Sequence, residues 1–133
     1  MPNKKNIIKK KLIIDAAGEK IIFKIIDKNK IYTNDYENSR KNFDRFSMLL
    51  FKFFRKNSLN FNLINDVFIN LGPGKFSSIR TSISTIKALN IVYTFNIYGF
   101  SSRDINNYDY SKVLNLFKRQ KLKKNLIKPL YLS

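Results

Sequence analysis

The residues best placed to do chemistry lie in one stretch. Residues 66–71 read Asp66-Val67-Phe68-Ile69-Asn70-Leu71, and Gly72-Pro73-Gly74-Lys75-Phe76-Ser77-Ser78 follows. A glycine turn between a strand and a helix frees backbone N–H groups that can cradle a phosphate. A P-loop, however, needs Gly five positions before the Gly-Lys pair and Ser or Thr after the Lys. Ile69 and Phe76 hold those positions. The Rossmann fingerprint also fails, because no third glycine follows. The spacing therefore favours a tight turn that starts a packed helix. Elsewhere the chemistry is thin. The chain contains no Cys and no His. That excludes thiolate catalysis, His-based triads, disulfides and the common zinc sites. The few acids are scattered and sit mostly in turns, so no carboxylate pair is available for acid–base work. No catalytic residue, metal or cofactor is expected.

The elements that must hold this turn follow from pattern. Residues 66–71 are a buried strand, rich in β-branched and aromatic residues. Gly-Pro-Gly ends it, and Ser77 or Ser78 is a candidate cap for the next helix. Ile79, Ile83 and Ile86 recur there at helical spacing, up to Asn90. Upstream, residues 11–16, 21–26 and 31–36 read as three strands. Their short connections, one of them Asp27-Lys28-Asn29-Lys30, imply an antiparallel meander. Asn38 or Ser39 can cap a helix over residues 40–56. It carries two apolar stripes: Phe46, Leu49, Leu50 and Phe53 on one, and Phe43, Phe51 and Phe54 on the other. One stripe suffices for a helix lying on a sheet. The surplus phenylalanines are either extra core or a protein interface, where aromatic anchors are enriched. Residues 57–65 form a polar connection with Leu59, Phe61 and Leu63 dipping inward. Residues 93–98 are a last strand, closed by Gly99-Phe100-Ser101-Ser102. The element order is βββαβαβ, that of a ribonuclease-H-like fold with a mixed sheet.

Gly72-Pro73-Gly74-x-Phe76-Ser77-x-Ile79-Arg80, with Lys87-Ala88-Leu89 downstream, resembles the Gly-Pro-Gly-Ser-Phe-Thr-Gly-Leu-Arg…Lys-Gly-Leu-Ala block of the TsaB (YeaZ) family. In this chain Lys75 replaces Ser and Ser77 replaces Thr, while Ser78, Ser82 and Ala88 stand where the family usually has Gly. The resemblance covers roughly residues 11–102. It implies a single ribonuclease-H-like lobe of the actin-like ATPase superfamily. It also implies a non-catalytic scaffold that binds and stabilises TsaD in making threonylcarbamoyladenosine on tRNA, with a TsaE-type ATPase in the wider complex. The family often has Asp-Thr-Ser at the end of the first strand. Here Asp15-Ala16-Ala17 lacks both hydroxyls, which favours Asp15 as a turn residue over a metal or phosphate ligand. Two TsaD helices pair with the family's corresponding helices. The expected partner interface is thus Phe43, Ser47, Leu50, Phe51, Phe54, Ser78, Ser82 and Thr85. Such a face could also pair two copies of the chain in a self-dimer.

The formal charge is +17, from 26 basic and 9 acidic residues among 133. That charge favours RNA, DNA or an anionic surface as partner; heavy use of Lys, Asn and Ile throughout offers compositional drift as the alternative. Ser111 can cap a basic helix with Val113, Leu116 and Phe117 on one face. Five of the seven residues at 118–124 are basic, and Lys118, Arg119, Lys121, Lys123 and Lys124 are the candidate tRNA contacts. The expected division is a TsaB-type N-terminal domain over residues 1–102 and a reduced, basic C-terminal tail over residues 103–133. Lys128-Pro129-Leu130-Tyr131-Leu132-Ser133 resembles the closing Pro-x-Tyr-Leu-Arg of many family members. No apolar run reaches the about 20 residues that span a bilayer. The basic start is followed only by Leu12-Ile13-Ile14, too short for a secretory signal. A cytoplasmic location without membrane partners is expected. Two other functions compete with the scaffold: a basic RNA-binding module without a TsaD partner, and an enzyme of actin-like or glycoprotease-like class. The altered Asp15 turn and the lack of His and Cys disfavour the enzyme.

Overall fold

The computed structural model describes residues 10–28, 30–125 and 127–130. Residues 1–9, Asn29 in the expected turn, Leu126, and Tyr131, Leu132 and Ser133 of the closing motif lie outside the described residues.

Strands β1 (Lys10–Asp15), β2 (Lys20–Asp27) and β3 (Lys30–Glu37) form the expected antiparallel meander. β1 also pairs in parallel with β4 (Ile64–Asn70), and β4 in parallel with β5 (Asn96–Phe100). A two-residue β6 (Lys123–Lys124) lies antiparallel on β5. The sheet order is β3-β2-β1-β4-β5-β6. Leu12 sits opposite Ile25 and Val67, and Ile14 opposite Phe23 and Ile69. Successive side chains of a strand face opposite sides. Leu12, Ile14, Phe23, Ile25, Val67 and Ile69 therefore share one core layer, while Ile13, Ile22 and Phe68 share the other. Both layers are covered, which explains why β1 and β4 are apolar on both faces.

Helices α1 (Arg40–Asp44), α2 (Phe46–Lys56) and α3 (Phe76–Val92) cover the first layer. Phe23 anchors it, with ring centroids 5.4 Å from Phe46 and 5.8 Å from Phe53. Helix α4 (Ser111–Lys118) covers the second layer, where Val113 packs with Ile13, Phe68, Phe100 and Tyr110. Ile127 reaches the first layer. Residues beyond Arg103 thus close one face of the sheet and extend its edge. The described residues form one α/β domain with a six-stranded mixed sheet and four helices.

Four local expectations are corrected. The helix over residues 40–56 is broken at Arg45 (φ −108°, ψ 21°), with no Gly or Pro to mark the break. α1 is a single turn, tied down where Asn42 N–H donates to Ser39 Oγ and Asn42 Nδ2 donates to the Glu37 carbonyl. α3 starts at Lys75 without a side-chain cap; Ser77 and Ser78 lie inside its first turn. α3 also runs two residues past Asn90, so β5 begins at Asn96 rather than Tyr93 and takes in Gly99 and Phe100. Tyr93 instead packs on Phe61 with centroids 5.3 Å apart. Finally, α4 is capped at Tyr110 with no side-chain bond, not by Ser111.

Candidate functional site

Beyond β1 the chain turns away to β2 and β3, while β4 leads to β5 on the other side. The order therefore reverses between β1 and β4, and open α/β sheets bind ligands beyond the carboxyl ends of strands at such a switch. Asp15 ends β1 and Asn70 ends β4. Asp15 is 1% exposed. Its Oδ1 accepts from Asn70 Nδ2 at 2.9 Å and from Ala17 N–H at 3.2 Å. Its Oδ2 accepts from the Tyr110 hydroxyl at 2.7 Å. Asn70 Oδ1 in turn accepts from Gly72 N–H at 2.8 Å. Ser102 donates its hydroxyl to the Pro73 carbonyl at 2.7 Å and its N–H to the Gly72 carbonyl at 2.9 Å. Asp15 is thus more than a turn residue: it is the buried hub of the switch point.

The glycine turn packs onto the β1–β2 turn. Lys75 N–H donates to the Ala17 carbonyl at 2.9 Å. A Cβ on Gly74 would stand 2.2 Å from that oxygen and 2.8 Å from the Ala17 Cβ. Gly72 has φ +101°, a region L side chains rarely adopt. The glycines therefore serve close approach and turn geometry. Asn38 completes the junction: its Nδ2 donates to the Ala16 and Gly18 carbonyls, both at 2.8 Å, and its Oδ1 accepts from Ser78 Oγ at 2.6 Å. Among the described residues every buried side-chain polar atom has a partner, and no group of three His, Cys, Asp or Glu could hold a metal. No described helix is long and apolar enough to cross a membrane.

The expected interface residues separate. Leu50, Phe54, Ser78 and Ser82 are buried within the chain, and Phe43 packs against the core. Phe54 stacks on Phe61 with centroids 3.8 Å apart. Phe61 and Tyr93 thus supply the second cover that the surplus phenylalanines needed. Ser47, Met48 and Phe51 face outward, Met48 at 52% and Phe51 at 43% exposure. On α3 the outward small residues are Ser77, Ser84 and Ala88, with Thr81 and Thr85 half-buried beside them. Of the block residues, Gly72 is buried, Pro73 half-buried, and Gly74, Phe76, Ser77, Arg80 and Lys87 exposed; the Arg80 guanidinium lies over the Phe76 ring at 5.3 Å. Lys118, Arg119, Lys121, Lys123 and Lys124 are all exposed. Lys124, opposite Tyr98, lies on the face of the sheet away from α2 and α3, whereas Lys123, opposite Gly99, falls on the other face. Sequence reasoning gave Asn70, Tyr110 and Ser102 no role, and offered Asn38 only as a possible helix cap, a place that Ser39 takes. Only Asn70 carried a signal, as a polar residue inside an apolar strand next to the glycines.

Burial, and after it the Asp15 carboxylate, pushes the Tyr110 phenol well above its ordinary value near 10. In the unfolded chain the phenol ionises near pH 10, while the folded chain keeps its proton. The unfolded state then binds fewer protons, so stability falls as pH rises above about 10, by about 1.4 kcal/mol per unit. Tyr110→Phe is expected to reduce this alkaline slope, leaving the part due to Tyr36 and Tyr98, whose phenols burial also raises. It should also cost roughly 1–3 kcal/mol at pH 7, because the buried Asp15 loses a donor. Urea titrations between pH 7 and 11 check both; an unchanged slope would mean that Tyr110 does not hold Asp15.

A three-strand meander, crossover helices and a parallel centre with Asp15 and Asn70 at its switch define a ribonuclease-H-like α/β domain. Among solved structures, the fold matches that of YeaZ from Pseudomonas aeruginosa, with TM-score 0.68 and 13% identity over 85% of this chain and 50% of that one. It matches equally a P. aeruginosa protein described as similar to the peptidase YeaZ, with TM-score 0.67, 13% identity and the same coverage. The chain spans about half the length of these two structures, and the likeness is one of fold. No family model and no curated protein matches the sequence.

Proposed function

We propose that this protein is a non-catalytic scaffold subunit that binds and stabilises a TsaD-type enzyme in threonylcarbamoyladenosine modification of tRNA. A TsaE-type ATPase belongs to the wider complex in this reading. The supporting observation is the YeaZ-like fold over 85% of the chain, with Gly72-Pro73-Gly74 at the β4–α3 turn. The proposed contact surface is narrower than the sequence alone suggests. It centres on Ser47, Met48 and Phe51 of α2 and continues over Ser84 and Thr85 of α3. Buried residues such as Leu50 and Ser82 support it from beneath. In the absence of the partner, the same face is the proposed seat of self-association.

Co-expression with the TsaD-type protein of the same organism tests the reading. The two are expected to co-purify through affinity and size-exclusion steps as a stoichiometric complex. Separate elution at micromolar concentrations would overturn it.

A further inference from the structure

The second face of the sheet ends in a cavity of about 570 Å³ between α4 and the β5–β6 edge. It is lined by Tyr98, Phe117, Lys118, Gln120, Leu122 and Lys124. Ligand pockets span roughly 300–1,000 Å³, so the space suits one small unit. Tyr98 and Phe117 meet edge to face with centroids 4.9 Å apart. Both stand against the fully buried Phe68, at 5.4 and 5.0 Å. The core thus props the two rings half-open to solvent. The Lys124 ammonium lies 5.9 Å from the Tyr98 centroid, and the Lys11 ammonium 5.9 Å from that of Phe117. Lys118 is exposed at the rim, with Arg119, Lys121 and Lys123 close by in sequence. One carboxylate acts here: burial and, second, Asp66 raise the Tyr98 phenol pKa.

Aromatic rings rimmed by cations match an unpaired base with its flanking phosphates. The base covers ring surface, and the phosphates neutralise the ammonium groups. We infer that this cavity binds a segment of single-stranded nucleic acid, one base against Tyr98 and Phe117 and its phosphates on Lys118 and Lys124. An acidic peptide would use the cations and leave the rings idle. The site lies across the sheet from α2 and α3, so the inference does not depend on the TsaD-partner reading. A groove at Asn34, Tyr36, Lys52, Arg55 and Lys56 has related chemistry. There, however, only one ring, Tyr36, lines the groove, and its hydroxyl accepts from Asn34 Nδ2. That groove provides the control.

The test is binding of a short labelled oligouridylate to the full chain, read by fluorescence anisotropy. Lys118→Glu with Lys124→Glu is expected to weaken binding by about tenfold or more, whereas Lys52→Glu with Lys56→Glu, the same charge change, should cost less than about threefold. All four lysines are exposed, so the fold should survive in both variants. A 4-thiouridine probe should crosslink to Tyr98 or Phe117, and inorganic polyphosphate of equal charge should compete poorly. Equal losses in the two variants, crosslinks at Tyr36, equal competition by polyphosphate, or no binding would each overturn the inference.

Discussion

Gly74→Ala is expected to be among the most damaging single substitutions in this chain, although it adds one methyl group at an exposed position. The added Cβ meets the Ala17 carbonyl oxygen at 2.2 Å and the Ala17 Cβ at 2.8 Å. These are backbone and near-backbone atoms, so no side-chain rotation relieves the clash. The turn must back away, which lengthens the Lys75 N–H bond to the Ala17 carbonyl. Overpacking of this kind costs roughly 1–3 kcal/mol, and the lost bond adds roughly another 1–3. The melting temperature should fall by roughly 10 °C or more. Lys75→Ala, which removes one part-buried bond to the Asn38 carbonyl and an exposed ion pair with Glu19, should cost about 1 kcal/mol and shift it less. Calorimetry of the two variants decides the matter. A Gly74→Ala protein as stable as the parent would mean that the turn has room to spare, and a bound anion would again be a reason for the glycines.

Phe54→Ala and Phe51→Ala should act in opposite places despite their nearness. Phe54 is 3% exposed and stacked on Phe61. Truncation leaves a cavity under α2 and should cost the isolated protein roughly 3–5 kcal/mol. Phe51 touches Phe61 by its edge and is 43% exposed, so its loss should barely move the denaturant midpoint. Its effect should appear in the proposed complex, as at least a tenfold weaker affinity for the proposed TsaD-type partner, since central aromatic anchors typically carry about 2 kcal/mol or more. Ser84→Arg on α3 should block the same surface while leaving the fold intact. Ser82→Arg is no substitute: Ser82 is fully buried, with its hydroxyl donating to the Ile79 carbonyl, and an arginine there would unfold the chain. Denaturation of the free proteins and calorimetric titration with the partner separate the two effects. A Phe51→Ala protein that binds normally would move the interface away from α2.

The pattern of legibility follows the range of the forces involved. β4, the glycine turn and α3 are visible in sequence because strand period, breaker and helix period act over a few residues. The break at Arg45 is not, because no breaker residue stands near it. The second apolar stripe of α2 is legible in the sequence, yet its cover, Phe61 and Tyr93, comes from a loop and a helix end that no helical period marks. Ser78 and Ser82, expected at the partner interface, are turned inward by the fold. Small residues are compatible with either face, and only the docking of α1 and α2 decides between them. The Asp15 network was least accessible, since Tyr110 is 95 residues away in sequence.

β6 is only two residues long, and both are lysine. It pairs with Tyr98 and Gly99, and Asn125 N–H adds a bond to the Ile97 carbonyl at 2.8 Å. Without it, β5 would present Asn96-Ile97-Tyr98-Gly99-Phe100 as an uncharged, aromatic rim of unpaired N–H and C=O groups. Such a rim recruits strands from other molecules and seeds aggregates. A short terminal strand bearing adjacent cations ends the ladder and repels a second copy. At the opposite rim, β3 exposes Lys30 and Ile31 at its start and Thr33, Asp35 and Glu37 alternately with half-buried residues after them. The charged segment therefore acts as a stopper on a sheet that would otherwise keep growing. A chain cut after Gln120 would expose a polymerising edge.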